Sequence, residues 1–319
     1  MVSIDIAVVE DVWAEPFDEL ASRRVVAFEP DAWRNDARLR ELAASARTLV
    51  VRNRTQVTRD VLATGVAAVA RAGVGLDNID LAAAAELGVS VIVPTGVNAA
   101  SVAEHALGLA LAVARDVVAG DGGVRAGRWD RTPGRELSGG TWGLLSAGAT
   151  ARATARLARA IGMRVVAYDP YVDPAHPELR ELGVRLRPLT EVVAAADVLS
   201  VHLPATPETE GLVSRELLAH AKQGQILVNV GRGEVLDEDA VAEAIESGRL
   251  AGAGLDMRRT EPPTPGRIDA LPGVVLTPHV AGITRQSQAR IAGILCAELD
   301  VLLNGGTSAY AVTPREASA

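Results

Sequence analysis

The sequence predicts a two-domain α/β protein with mostly parallel sheets, and three observations carry that prediction. Its 319 residues exceed the size at which a single hydrophobic core keeps growing. Short β-branched runs alternate with Ala-rich helical segments from end to end, which is the pattern of βαβ units. The apolar share is an ordinary 48% but the aromatic share is only 3%, so Ala, Val and Leu must fill the core, as suits helices laid on parallel strands.

Taken in order, the first third reads as strands near Ile4 to Val9 (a run opening at Ser3), Arg24 to Ala27, Thr48 to Val51, Val69 to Ala72 and Ser90 to Val93, with helices between them. This is one compact α/β unit. A long helix from Asn98 to Arg115 follows, capped by Asn98 or by Ser101, with Glu104 three residues after Ser101 offering a capping box. It forms a natural connector between domains. A Gly-rich stretch, Asp121 to Gly140, leads to a second alternating series from Trp142 to Ala281. A last amphipathic helix, Thr284 to Leu303, is expected to rejoin the first unit, and the tail Asn304 to Ala319 reads as loose. The predicted boundaries are 1–97, 98–285 and 286–319, with the outer two segments forming one domain.

Charge and cysteine content narrow the function. With 40 acidic against 32 basic residues the formal charge is −8, which repels phosphate backbones and offers no basic tract for nucleic acid or acidic lipid. A small-molecule ligand is the simpler partner. The single cysteine, Cys296, excludes an intramolecular disulfide and a Cys-based zinc cluster, and it points to a reducing compartment; its apolar neighbours read as a buried helix. No metal is expected. An acidic N-terminal strand without a basic flank argues against a signal peptide. The longest apolar stretch, Ala106 to Ala114, falls far short of the roughly 20 residues that span a bilayer. A cytoplasmic protein is expected.

In the second series the chemically able residues fall just past strand ends: Ser146-Ala147-Gly148, Asp169, His202-Leu203-Pro204, Gly231-Arg232-Gly233, Asp256 and Pro278-His279. The carboxyl ends of parallel strands share one edge, where ligands bind near the topological switch point, so these six segments are expected to converge. Asp169 lies at the end of the strand after the Gly148 turn, where an acid accepts hydrogen bonds from adenosine ribose hydroxyls; there it favours NAD over NADP, because a carboxylate repels a 2′-phosphate. An Asp before Pro170 also suits a plain turn.

The glycine-rich turn is degenerate. A Rossmann fingerprint needs Gly-x-Gly-x-x-Gly or Ala, and the chain has Ser146-Ala147-Gly148-Ala149-Thr150-Ala151. Gly148 allows the backbone to approach a pyrophosphate and Ala151 is tolerated at the helix-packing position. Ser146 brings a Cβ to the tight turn, which is expected to resist the glycine conformation and narrow the space beside the diphosphate. Thr150 replaces an apolar residue.

Arg232, Glu261 and His279 suit interconversion of a 2-oxo acid and a 2-hydroxy acid. An arginine holds a carboxylate through two parallel hydrogen bonds. A histidine gives a proton to a carbonyl oxygen as hydride arrives, or removes it in reverse. A carboxylate beside the ring favours its protonated form and fixes its orientation. Singly, each has a plainer reading: a surface ion pair for Arg232 or Glu261, a loop histidine for His279. In the first unit, Gly73-Val74-Gly75 can form a nest of N–H groups for a carboxylate, and Arg52 and Arg54 add positive charge, though a sharp turn and a solvated loop account for them equally well. His105 reads as a packed helix residue and His176 and His220 as surface positions.

As a set, Val51-Arg52-Asn53-Arg54-Thr55, Ala72 through Asp80, Asn98 through His105, His202-Leu203-Pro204 with Thr209, Asn229 through Gly233, Leu255-Asp256 with Glu261-Pro262, and Thr277-Pro278-His279 resemble the D-isomer-specific 2-hydroxyacid dehydrogenase family in order and spacing. The resemblance implies two Rossmann/flavodoxin-like domains with an interdomain cleft. Residues 1–97 and 286–319 would bind substrate, through Arg52, Arg54, Val74 and Gly75. Residues 98–285 would bind NAD, through Gly148, Ala149, Thr150, Asp169, His202, Pro204, Thr209 and Asp256, the last placing the nicotinamide carboxamide. It further implies that Arg232 binds the substrate carboxylate, that His279 is the acid/base with Glu261 as its partner, and that the protein is a homodimer through the nucleotide domain. The chain is similar to the short 3-phosphoglycerate dehydrogenase-like members, which lack a C-terminal regulatory domain. It departs from the pattern at Gly140, where a lysine is usual, and at Ser146, Thr150 and Ala151. Three functions therefore stand: an NAD-dependent oxidoreductase with a modified loop, a non-redox enzyme of dehydratase or lyase type on the same residues, and a binding or regulatory protein.

Overall fold

The computed structural model describes residues 4–12 and 14–312; Ser3 of the first predicted strand and residues 313–319 of the predicted tail lie outside the described residues. The chain divides into two compact units, Met1–Asn98 with Thr284–Ala319, and Ala99–Ile283. Both are α/β with mostly parallel sheets.

In the first unit the strands are β1 (Ile4–Val8), β2 (Val26–Phe28), β3 (Ala46–Val51), β4 (Ala68–Arg71) and β5 (Ser90–Ile92), with helices α1 (Glu15–Ala21), α2 (Asp36–Ser45), α3 (Arg59–Leu62) and α4 (Leu81–Leu87) between them. The strands read as apolar runs because the sheet is covered on both faces. Along β1 and just past it, Ile6 and Val8 pack with Phe17 and Leu20 of α1, whereas Ala7 and Val9 pack with Leu39 and Leu42 of α2. That alternation is the two-residue period of a strand. Asn35 caps α2 by accepting from the N–H groups of Ala37 and Arg38, and Asp80 caps α4 by accepting from Ala83.

The second unit begins with α5 (Ala99–Ala114) and α6 (Val117–Arg125). Its sheet and covering helices follow as β6 (Thr141–Leu145), α7 (Ala149–Ala160), β7 (Arg164–Tyr168), α8 (Pro177–Glu181), β8 (Arg185–Leu186), α9 (Leu189–Ala195), β9 (Val198–Val201), α10 (Arg215–Leu218), β10 (Gln225–Asn229), α11 (Glu238–Glu246), β11 (Leu250–Leu255) and β12 (Val274–Leu276). The seven parallel strands run β12-β11-β10-β9-β6-β7-β8, so the order reverses between β6 and β9. One face is closed by Val102, Ala106 and Leu109 of α5 with Ala151 and Ala155 of α7, the other by Val192 of α9 and Val241 and Ile245 of α11. The small side chains of α7 let its backbone lie close to β6.

The chain then supplies α12 (Arg285–Leu303) and β13 (Ala311–Val312) to the first unit. Thr284 caps α12 by accepting from Ser287, and Ile291, Leu295 and Leu299 seat it against Ile6 and Val8. Cys296 is buried there, which pushes its thiol up to about 12. The first sheet has the order β13-β5-β4-β3-β1-β2, and β13 is antiparallel to β5.

Local expectations fail in four places. Helix α5 starts at Ala99, so Ser101 lies inside the first turn rather than at the N-cap position, while the Oδ1 of Asn98 is buried without a hydrogen bond among the described residues. Helix α6 occupies part of the predicted Gly-rich stretch; three glycines hid it, each disfavouring helix by about 1 kcal/mol. Strand β8 is only Arg185 and Leu186, too short for periodicity to reveal. The tail is not loose throughout, because Ala311 and Val312 pair with β5. Among the described residues, no helix is long and apolar enough to cross a membrane.

Candidate active site

The β6–α7 loop is closed on itself. Ser146 takes φ 114°, a backbone region costly for a residue with a Cβ, so the expected resistance of that position is overcome rather than avoided. Its hydroxyl does not project into the turn's open side: Oγ accepts from the Gly148 N–H at 3.0 Å and lies 3.5 Å from Asp169 Oδ2. Asp169 Oδ2 accepts from the Ala147 N–H at 2.8 Å, and Oδ1 from Tyr171 and Val172 at 3.0 and 3.3 Å. The carboxylate thus closes its own turn and anchors the loop before it. Arg152, held to Glu178 at 2.6 Å, donates to the Ala147 carbonyl at 2.7 Å.

This loop still fits a dinucleotide diphosphate. Gly148 occupies the N-cap of α7 without a side-chain cap, and a Cβ there would meet only Ser146 Oγ, at 3.3 Å. The first-turn N–H groups of Ala149, Thr150 and Ala151 have no carbonyl one turn back in the helix, which makes the helix start an anion site. The Ser146 contact to Asp169, at 3.5 Å, is the weakest on that carboxylate and the one a ribose hydroxyl can replace.

Past β9, His202 turns inward. Trp142 Nε1 donates to Ser200 Oγ at 2.7 Å, and Ser200 Oγ lies 2.9 Å from His202 Nε2. Burial pushes the imidazole down to about 3, so the ring is neutral. Its Nδ1 is buried without a hydrogen bond among the described residues. Thr209 Oγ1 donates to the Pro204 carbonyl at 2.7 Å and accepts from the Thr206 N–H at 2.8 Å, closing the loop after His202.

Arg232 is set by its two glycines. A Cβ on Gly231 would lie 2.7 Å from the Leu203 carbonyl oxygen, and one on Gly233 would lie 2.0 Å from the Arg258 carbonyl carbon and oxygen, so neither position admits a side chain. Asn229 binds both sides of the turn, accepting from the Gly231 N–H at 3.1 Å and donating to the Arg232 carbonyl at 3.0 Å. Arg232 is half-buried, with Nη1 donating to the Gly231 carbonyl at 2.8 Å.

His279 and Glu261 meet directly, Nδ1 to Oε2 at 2.7 Å, with side chains 44% and 36% exposed. His279 has φ 53°, and its N–H donates to the Asp256 carbonyl at 3.0 Å. Burial pulls the Glu261 carboxyl upward but is outweighed by the hydrogen bond and charge of His279, holding it below the usual value. Asp256 is buried and accepts from Thr277 Oγ1 at 2.6 Å, Val280 N–H at 2.9 Å and Ala281 N–H at 2.8 Å. Its carboxyl is also held low, hydrogen bonds from His105 and Thr277 overcoming the upward pull of burial. The structure therefore gives Asp256 the task of fixing the loop that carries His279. His105 belongs to this network, with Nε2 2.9 Å from Thr277 Oγ1. The apolar helix around His105 predicts packing alone, and its polar contact to Thr277 departs from that expectation.

In the first unit, Arg52 and Arg54 lie on a loop organised by a residue the sequence reading missed. Glu10, buried just past β1, accepts from the N–H groups of Arg52, Arg54 and Thr55 at 2.8, 3.1 and 2.9 Å. Asn78 Nδ2 donates to the carbonyls of Arg52 and Thr55, tying that loop to the segment after Val74 and Gly75. The Arg54 guanidinium lies 5.2 Å from the Trp33 ring centre. An acid at the end of an apolar strand was the available signal for Glu10.

Two units with doubly wound sheets, one in the order 2-1-3-4-5 and the other reversing beside its first strand, define the class as a doubly wound α/β protein of tandem Rossmann/flavodoxin-like fold. Residues 107–281 match the family model described as D-isomer specific 2-hydroxyacid dehydrogenase, NAD binding domain. The chain is 45% identical over 249 residues to D-3-phosphoglycerate dehydrogenase of Mycobacterium bovis, covering 77% of this chain and 47% of that protein. It is 40% identical over 250 residues to hydroxypyruvate reductase of Thermotoga maritima, covering 76% of this chain and 80% of that one. The crystal structure of the TT0316 protein from Thermus thermophilus superposes with a TM-score of 0.88 at 34% identity, covering 97% of this chain and all of the other. The protein belongs to the D-isomer specific 2-hydroxyacid dehydrogenase family. It spans about half the length of the phosphoglycerate dehydrogenases it matches.

Proposed function

We propose that this chain is an NAD-dependent oxidoreductase acting on a small 2-hydroxy or 2-oxo acid. The observation that carries the reading is the His279–Glu261 pair, 2.7 Å apart, presented by a residue at φ 53°. With Nδ1 engaged by Glu261, the proton exchanged with substrate is the one at His279 Nε2. Glu261 stabilises the imidazolium and fixes its plane. Arg232 clamps the substrate carboxylate through its guanidinium fork and polarises the neighbouring carbonyl. In the first unit, Arg52, Arg54 and the N–H groups around Val74 and Gly75 are the groups we assign to binding an acid's charge. The dinucleotide, when bound, supplies or accepts the hydride. Gly148 and the α7 N-terminus hold its diphosphate, Asp169 its ribose, and His202, Pro204, Thr209 and Asp256 back its nicotinamide half. The carboxylate of Asp169 favours NAD over NADP.

The names of the similar proteins point to three-carbon 2-hydroxy acids as the first substrates to assay. The test is calorimetric titration of the purified protein with NADH, NAD and NADPH. An NADH-oxidation assay over hydroxypyruvate, its phosphate ester, glyoxylate and pyruvate follows. Binding of NADH with turnover of one acid is expected; binding of no dinucleotide and turnover of none rejects the reading.

A second reading is favoured by one observation: Ser146 Oγ occupies the Gly148 N–H. Should dinucleotide fail to bind while a 2-hydroxy acid does, the Arg232, Glu261 and His279 set would serve a non-redox elimination or a binding function.

We also propose a homodimer through this unit. Helix α6 carries three glycines and leaves Val117, Val118 and Val124 exposed, with Trp129 78% exposed just beyond it. A helix so poor in propensity gains its stability from packing, and a second copy of the same face is the occupant we assign. Sedimentation of the parent as a dimer, and of Val118→Glu as a monomer, is expected.

A further inference from the structure

We propose that Arg258 is a positioning residue that clamps the 256–262 strap and thereby sets both Glu261 against His279 and the peptide that confines Arg232; this rests on the oxidoreductase reading above. Arg258 is a charged side chain only 8% exposed, on a segment where the preceding strand has ended and no helix has begun. Burying a guanidinium is costly unless every donor direction is met. Here two forks engage four of its five N–H groups. Nε and Nη2 donate to Glu238 Oε1 and Oε2 at 3.0 and 2.9 Å, and Nη1 and Nη2 to Asp269 Oδ1 and Oδ2 at 2.7 and 3.3 Å.

Each anchor is itself fixed. Glu238 is the first residue of α11, where the helix dipole favours a carboxylate, and its Oε1 also accepts from the Arg259 N–H at 3.0 Å. Asp269 Oδ2 accepts from the Gly266 N–H at 2.7 Å. The strap is therefore pinned to the start of α11 on one side and to the 266–270 turn on the other. Its pinned backbone has two consequences. The Arg258 N–H donates to Glu261 Oε1 at 3.3 Å, while the other oxygen of the same carboxylate faces His279 at 2.7 Å. On the opposite side, the Arg258–Arg259 peptide lies so close to Gly233 that no Cβ fits between them. One side chain, outside the Arg232, Glu261 and His279 set, thus holds the backbone on which two of those residues depend.

The test uses Arg258→Met, Arg258→Lys and Asp269→Asn in the full chain. The first readout needs no cofactor: selective 15N labelling of histidine, with His279→Gln assigning the signal, follows the Nδ1–H held by Glu261. The parent is expected to show a protected Nδ1–H, and Arg258→Met to lose it. Turnover in Arg258→Met should fall about tenfold or more, the scale of loss for a misplaced catalytic group, while NADH affinity at the α7 end stays at the parent value. Lysine keeps the charge but cannot form two forks, so Arg258→Lys should recover thermal stability without recovering turnover or the Nδ1–H signal. Asp269→Asn keeps the Glu238 fork and the Arg258 side chain, is the milder change, and should show a smaller loss in the same direction. Parent-like Nδ1–H protection and turnover in both Arg258 variants, or full rescue by lysine, overturns the clamp. If the parent turns over no 2-oxo acid, the functional reading fails, and the histidine signal alone still decides the clamp.

Discussion

Two loops at the carboxyl edge of the seven-stranded sheet hold a non-glycine residue at positive φ, Ser146 at 114° and His279 at 53°, and they use it in opposite ways. Around His279 the strained backbone is held from below. Its N–H binds the Asp256 carbonyl, the buried Asp256 carboxylate takes the next two N–H groups, and the imidazole is left 44% exposed with one nitrogen engaged. Around Ser146 the side chain is buried and turned back, taking the Gly148 N–H for itself. The first loop converts strain into a presented side chain; the second absorbs a substitution where glycine would adopt the same φ without cost. Positive φ thus has two outcomes here: an outward side chain on a separately anchored backbone at His279, and an inward, self-satisfied one at Ser146.

The largest expected effect breaks the first loop. His279→Ala should lower kcat by about 10²- to 10⁴-fold, the usual worth of a positioned acid/base, with the fold retained because the ring is not part of a core. Arg232→Ala should raise KM as well as lower kcat, since it removes a contact made in both ground and transition states. Steady-state assays on the acid found to turn over distinguish the two. Unchanged activity in both would leave the comparison without its functional half.

Next in size is the anchor beneath that loop. Asp256→Asn should destabilise the protein by about 1–3 kcal/mol, the range for leaving buried hydrogen-bonding groups poorly matched. Its pH dependence has a definite sign. The folded protein holds the Asp256 carboxyl below its ordinary 3.8, so the folded state takes up that proton less readily than the unfolded chain. The contribution is complete above the unfolded carboxylate range and is lost as pH falls through 3.8 toward the folded value. Denaturant titrations between about pH 6 and pH 3 should show a steeper acid loss in the parent than in Asp256→Asn; equal slopes would assign the acid sensitivity elsewhere.

Ser146→Gly is smaller and opposite in direction. Relief of the positive φ should stabilise the fold by about 1 kcal/mol. Freeing the Gly148 N–H should tighten NADH several-fold, since about 1.4 kcal/mol is tenfold in affinity. Calorimetry and thermal melting read the two separately. Equal NADH affinity in parent and variant would mean that the serine is as serviceable as glycine, and the contrast between the loops would be one of backbone strain alone. Adding Thr150→Ile should contribute least, about 0.3 kcal/mol on the scale of helix preferences among β-branched residues.

Much of the fold was legible because its signals are local. Apolar runs of strand length, Ala-rich helical spacing and polar residues just past strand ends lie in consecutive residues, so all six strand-end segments of the second series sit where strands β6, β7, β9, β10, β11 and β12 finish. Helix α6 escaped because glycine hides helix from any local measure, and β13 because two residues have no period. Within the candidate site, Arg232, Glu261 and His279 were readable in order, with Glu261 as the partner of His279, yet the residues that hold the site's loops were not. His105 reaches Thr277 across 172 positions, and Glu10 reaches Arg52 across 42.

By itself the amino-acid sequence determined two α/β units, the polar segments at their strand ends, and an exceptional residue at position 146. What only the tertiary structure decided is where those side chains spend their hydrogen bonds: Ser146 on Gly148, Asp169 on its own turn, Asp256 beneath the His279 loop, and Arg258 between Glu238 and Asp269. The reason is physical. Backbone preference and burial period depend on near neighbours in the chain, whereas a buried donor or acceptor must find its partner wherever packing has brought one, and that choice is made by contacts that no local pattern encodes.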